Sequence, residues 1–235
     1  MMILALESSA TACSVALTRD GNVVAQAFQH SGLTHSRTLL PMVANVLNSC
    51  GESMQHVDVV AVAAGPGSFT GLRIGVATAK GLAWPEDKDC AACSTLESMA
   101  WPLAHLKGKL IICAMDARRS QVYNALFLAT GDGLERLSED RAISLAELAE
   151  EVKKYENEKI VVGDGAKLCY NTFSDMGLSL TIAPEHLRMQ SGWGVARAAE
   201  ELAKQGKLIK GEALNAVYHR LSQAERERME KQKNT

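Results

Sequence analysis

The chain has 235 residues, 47% of them apolar and 22% charged, with a net charge of −2. That length holds one large domain or two small lobes, and the apolar share builds a core, which excludes wholesale disorder. The charge balance argues against a basic nucleic-acid-coating protein, and no apolar run approaches the ~20 residues that cross a bilayer. The first residues reach Glu7 without a basic segment, so no secretion signal is expected. Six cysteines (Cys13, Cys50, Cys90, Cys93, Cys113 and Cys169) are read as reduced thiols of a cytoplasmic protein. Cys90 and Cys93 have metal or redox spacing, but no second pair completes a zinc site, and a chance pair near the start of a helix is favoured.

Residues 2–6, 12–18 and 22–28 read as strands of an antiparallel meander, with a tight turn at Asp20-Gly21. Residues 35–50 place Leu39, Leu40, Val43, Val46, Leu47 and Cys50 on one apolar helical face. Pro41 fits the first turn of that helix if Thr38 is its cap, and Gly51 is its stop. The apolar run 57–64 suits a strand buried on both faces. Gly65-Pro66-Gly67-Ser68-Phe69-Thr70-Gly71 then carries the chain through a glycine-rich turn into a helix capped by Ser68 or Thr70. Two readings of this turn stand: an anion cradle at a helix N-terminus, or a tight connection that needs glycine geometry. It is neither a Walker A loop nor G-x-G-x-x-G. Gly71, Gly75 and Ala79 recur every fourth position, with Thr78 and Leu82 beside them. A helix-interior glycine costs ~1 kcal/mol relative to alanine, so the stripe predicts a tight contact with another helix, internal or intermolecular.

Residues 94–106 read as a helix capped by Ser94, and 107–109 as a linker dividing a lobe 1–106 from a lobe 107–220, with a charged tail at 221–235. In the second lobe 110–115, 121–128 and 159–162 are predicted strands, and 144–155 and 191–205 predicted helices. Asp116-Ala117-Arg118-Arg119-Ser120 is a polar turn, and Gly163-Asp164-Gly165 a second glycine turn after a strand. This order predicts an α/β protein of two ribonuclease-H-like lobes sharing a cleft, as in the actin, Hsp70 and sugar-kinase architecture. Glu7 and Asp116 end predicted strands and are candidate paired carboxylates of that cleft. No histidine lies three or four residues from another His or Cys, and no nucleophile elbow occurs, so no metal, cofactor or catalytic residue is assigned.

Ile3-Leu4-Ala5-Leu6-Glu7-Ser8-Ser9 with the 12–17 strand, His35-Ser36 before Leu39-Leu40-Pro41, the 65–75 stretch, Met115-Asp116-Ala117-Arg118-Arg119 with Val122-Tyr123, and Val162-Gly163-Asp164-Gly165 closely resemble the bacterial TsaB (YeaZ) family. Val217-Tyr218-His219-Arg220 is similar to a drifted form of its closing Tyr-Leu-Arg segment, so the match spans about residues 2–220. The resemblance implies a non-catalytic subunit in making N6-threonylcarbamoyladenosine at position 37 of tRNA. It implies pairing with the catalytic paralogue TsaD and the ATPase TsaE, a homodimer when alone, and contact with tRNA only through the complex. TsaD carries a His-x-x-x-His metal element, and the matching stretch 84–109 offers only His105. The family pairs through helices of the N-terminal lobe, which assigns the interface to His35, Leu39, Val43, Leu47, Gly71, Gly75, Thr78, Ala79 and Leu82. Glu7, Ser8, Ser9, Gly65, Gly67, Ser68, Thr70, Gly163 and Gly165 are then vestigial nucleotide loops. The alternative is a sugar-kinase/Hsp70-type ATPase or phosphotransferase using those loops, weakened because Glu7-Ser8-Ser9 lacks the usual glycine. A glycoprotease-like peptidase is a third reading, and it lacks metal ligands and a nucleophile.

Overall fold

A computed structural model describes residues 1–219; Arg220 and the 221–235 tail lie outside the described residues. The chain opens with β1 (Met2–Glu7), β2 (Cys13–Arg19), β3 (Asn22–Gln29), α1 (His35–Ser49), β4 (Val59–Gly65), α2 (Phe69–Ala83) and β5 (Asp89–Ser94). β2 and β3 extend antiparallel from one side of β1, while β4 and β5 join in parallel on the other. After α3 (Thr95–Ala100) the order repeats. It runs through β6 (Leu110–Asp116), β7 (Gln121–Ala129), β8 (Leu134–Arg136), β9 (Arg141–Ser144), α4 (Leu145–Val152), β10 (Lys159–Val162), α5 (Ala166–Asp175) and β11 (Thr181–Ile182). β6 is central here as β1 is in the first sheet. β7 carries β8 and β9 on one side, and β10 and β11 run parallel on the other. The chain then adds α6 (Glu185–Arg188), α7 (Gly192–Lys204) and β12 (Ile209–Lys210).

The alternation of side chains along a strand explains the layers. On β1, Leu4 and Leu6 pack outward with Leu39, Val43 and Leu47 of α1, whereas Ile3 and Ala5 pack inward with Val195 and Ala199 of α7. In the second sheet Ile112 meets α4 and α5 residues, and Ile111 and Cys113 meet Leu96 and Met99 of α3. Both sheets are thus covered on the outside, and α3 and α7 form a shared layer between them.

The structure corrects several expectations. The chain leaves the second sheet at Ile182; α7 packs on the first sheet and β12 pairs with β5, so packing does not follow a continuous 107–220 lobe. Glycine makes this return close, because a Cβ on Gly192 would stand 2.7 Å from the Ala16 nitrogen. α1 starts after Thr34, not Thr38, and Pro41 lies inside it. Pro41 and Arg37 are both exposed, so the carbonyl that the proline leaves without a donor lies on the solvent-facing side of the helix. Residues 90–93 lie in β5 and not at a helix start. Three positions apart on a strand means opposite faces: Cys90 joins the outer cluster and Cys93 the inner one, so they do not form a pair. The helix after Ser94 is regular only to Ala100, with a tighter turn at Trp101–Leu103 where Pro102 interrupts it.

Candidate functional site

The glycine-rich turn between β4 and α2 is held from below by the turn after β1. Ser68 is the cap, its Oγ accepting from the Gly71 N–H at 3.3 Å. The Ser68 N–H donates to the Ser9 carbonyl at 2.6 Å, and Ser8 Oγ donates to the Gly71 carbonyl at 2.9 Å. Side chains are excluded along this seam. A Cβ on Gly71 would collide with the Ser8 carbonyl; on Gly75 it would stand 2.5 Å from Ser8 Oγ and 3.1 Å from Val62. On Gly67 it would stand 2.5 Å from the Ser9 carbonyl, and on Gly65 it would collide with the Val217 carbonyl. The tight-connection reading therefore accounts for these glycines.

The expected helix–helix contact is corrected by the same geometry: the small-residue stripe faces the Ser8 turn and β4 of its own chain. The interface assignment changes with it. Leu39, Val43, Leu47, Gly71, Gly75 and Ala79 are buried within the chain, packed against its own core and the Ser8 turn. His35, Thr78 and Leu82 are half-buried, with His35 Nε2 donating to the Ala10 carbonyl at 2.7 Å.

At the ends of the two central strands lies a cleft of about 560 Å³, walled by Ser9, Thr11, Gly67, Ser68, Thr70, Asp116, Arg118, Tyr123, Asp164 and Tyr218. The structure thus brings Ser9, Gly67, Ser68 and Thr70 to one wall. Glu7, Ser8, Gly65, Gly163 and Gly165 lie behind the walls. A Cβ on Gly163 would collide with the Ala114 carbonyl, and one on Gly165 would stand 3.1 Å from it.

Glu7 and Asp116 do not act as a pair. Glu7 is 0% exposed, its Oε1 accepting from the Ser9 N–H at 2.6 Å and its Oε2 without a partner. Burial pushes this carboxyl up to about 7, against which the hydrogen bonds from Ser9 work. Asp116 is exposed, and its Oδ1 accepts from the Arg118 N–H at 2.7 Å. Gln190, fully buried, donates from Nε2 to Asp164 Oδ1 at 3.2 Å. Sequence reasoning missed Gln190 and the stack of Phe69, Arg73 and Tyr218 at the cleft mouth; Tyr218 was visible only as part of the closing segment. Among the described residues no three His, Cys, Asp or Glu side chains gather as metal ligands, and no helix is long and apolar enough to cross a membrane.

Two sheets of matching ribonuclease-H-like strand order, stacked on a shared helical layer with a cleft at their central strand ends, define the actin/Hsp70/sugar-kinase class of fold. A family model described as TsaD, tRNA N6-adenosine threonylcarbamoyltransferase, matches residues 28–220. The chain is 36% identical over 176 residues to the tRNA threonylcarbamoyladenosine biosynthesis protein TsaB of Bacillus subtilis, covering 75% of this chain and 76% of that one. It is 31% identical over 224 residues to the protein of the same name in Escherichia coli, covering 94% and 95%. The chain belongs to the TsaB (YeaZ) family. Its fold superposes on the solved YeaZ from Pseudomonas aeruginosa with a TM-score of 0.79 at 25% identity, over 92% of this chain and 99% of that one.

Proposed function

We propose that this chain is a non-catalytic partner subunit in the formation of N6-threonylcarbamoyladenosine in tRNA. It pairs with a TsaD-type transferase, works with the ATPase TsaE, and acts in the cytoplasm. The observation that carries this reading is the likeness, over 94% of the chain, to a protein named for that biosynthesis. The family model named for the transferase supports it over residues 28–220.

The seam between the Ser8 turn and the glycine-rich turn supports a non-catalytic role, because its polar groups are already used in holding the two turns together. Ser68 is spent as a cap, the glycines on backbone contacts, and Glu7 below the wall. The pairing surface is the solvent side of α1, α2 and the turn just after α2, where Leu40 is 55% and Trp84 77% exposed. An indole so open to water favours a covering partner. TsaD covers it in the complex and a second copy of the chain covers it otherwise, while tRNA is reached through the complex. Trp84→Ala is expected to abolish co-elution with TsaD while leaving the thermal midpoint within about 2 °C; unchanged co-elution refutes this placement. Depletion of the protein, followed by mass spectrometry of tRNA nucleosides, is expected to remove threonylcarbamoyladenosine. Undiminished nucleoside overturns the reading.

The hydroxyls and carboxylates of the cleft favour one other reading, a nucleotide-dependent phosphotransferase or ATPase. Calorimetry with Mg-ATP separates the two: micromolar binding with turnover supports the enzyme, and heat of dilution alone supports the partner subunit.

A further inference from the structure

The segment after β12 runs the length of α2. Near its start, Lys80 Nζ donates to the Glu212 carbonyl at 3.2 Å. Leu214, 0% exposed, sits in the outer core with Val76 and Ala83. Beyond Leu214 the contacts change in kind. The Val217 N–H donates to the Ala64 carbonyl at 2.7 Å, and the Val217 carbonyl fills the place a Gly65 side chain would take. The Tyr218 ring lies 4.9 Å from that of Phe69, and its hydroxyl accepts from Arg73 Nε at 3.2 Å. The Arg73 guanidinium covers the same Phe69 ring at 3.9 Å. These outer contacts face water, with Val217 50% and Tyr218 43% exposed.

Both residues wall the cleft beside Ser9 and Gly67. There Ser9 is fully buried, its hydroxyl and N–H both turned to the Glu7 carboxyl.

We propose that residues 214–219 form a strap, hinged at Leu214, which closes the Ser9–Gly67 wall of the cleft and lifts to open that wall to solvent. The wholly buried leucine holds the base, while one backbone hydrogen bond and one exposed stack hold the part beyond it. Gly65 is then a glycine because the strap lies against it. The strap does not depend on the role in tRNA modification.

The test uses the full chain with Cys50→Ala, since Cys50 is the half-buried thiol and the other five are buried. Ser9→Cys, a near-isosteric change, places a reporter thiol behind the strap, and its modification by methyl methanethiosulfonate is timed. Tyr218→Ala is expected to speed that modification at least tenfold, and an unchanged rate overturns the proposal. A second measurement keeps the native Ser9. By amide hydrogen exchange, Tyr218→Ala is expected to remove protection at Val217 while Leu214, whose N–H donates to the Gly211 carbonyl, keeps it. Retained protection at Val217, or its loss at both residues together, counts against a hinge at Leu214.

Discussion

The turn after β1 and the turn after β6 hold equivalent places in the two sheets, and the chain builds them in opposite ways. The first is interior: Glu7, Ser8 and Ser9 are each 0% exposed, clasped by the glycines of the loop and α2. The second is exterior: Asp116, Arg118, Arg119 and Ser120 are exposed. Its tip holds φ of +62°, +56° and +56° at Arg118, Arg119 and Ser120, left-handed backbone that costs a non-glycine residue roughly 1–2 kcal/mol. The difference lies in what faces each turn. α2 begins against the first turn with Gly67, Gly71 and Gly75 at its closest approaches, whereas the Gly163–Gly165 turn before α5 leans on Ala114, short of the second tip. A topology used twice does not make the same site twice; the helix start that meets the turn decides whether its polar groups are spent inside or left in water.

The largest effect expected from this contrast is at Gly71. Its Cβ would meet backbone, the Ser8 carbonyl, so Gly71→Ala should lose ~4 kcal/mol in urea unfolding or fail to fold. Gly81, on the same helix with nothing within 4 Å, is the control, and Gly81→Ala should gain about 0.5–1 kcal/mol. Equal responses would break the comparison. Gly75→Leu is likewise expected to unfold the chain rather than to report on a partner.

The next effect is the pH dependence of Glu7. Its carboxyl is raised from 4.5 to about 7, so the folded state holds a proton that the unfolded chain releases at lower pH. The stability from that proton is full below about 4.5, falls as pH rises towards 7, and is flat above. The unfolding free energy of wild type minus that of Glu7→Gln should therefore drop by about 3 kcal/mol between pH 4.5 and 8. A flat difference would show that the first turn does not bury its carboxylate.

Smaller effects belong to the second turn. Ser120→Gly relieves a left-handed position and keeps the Ser120 carbonyl that accepts from Leu145, so a gain of ~1 kcal/mol is expected by thermal unfolding. Asp116→Asn keeps an acceptor for the Arg118 N–H in a solvated place and should change stability by less than about 0.5 kcal/mol at pH 7. A loss comparable to that at Glu7 would erase the distinction between the turns.

The meander, the apolar face of α1, β4 and the Ser68 cap were legible because each is a local pattern of period two, period 3.6 or cap chemistry. β5 was not, since Cys90-Ala91-Ala92-Cys93 carries neither strong strand residues nor polar alternation. β11 and β12 have two residues each, too short for any period. In the site, Gly67, Ser68 and Thr70 were singled out by the glycine-rich turn, and Ser9 only through the resemblance. Tyr123, Gln190 and Tyr218 were not, because nothing near them in the chain marks a cleft.

By itself the sequence determined the family, the doubled α/β order and the existence of a glycine-dependent close approach, since these rest on residue identity and short-range spacing. Only the tertiary structure decided what approaches those glycines. Gly71 and Gly75 take the Ser8 turn and Gly65 takes the Val217 strap, so a stripe that reads as a partner surface is interior. It also set Cys90 and Cys93 on opposite faces of β5 and returned residues 192–218 to the first sheet. Those outcomes depend on which distant backbones meet, and a residue's local pattern states that it must be small without stating which neighbour makes it so.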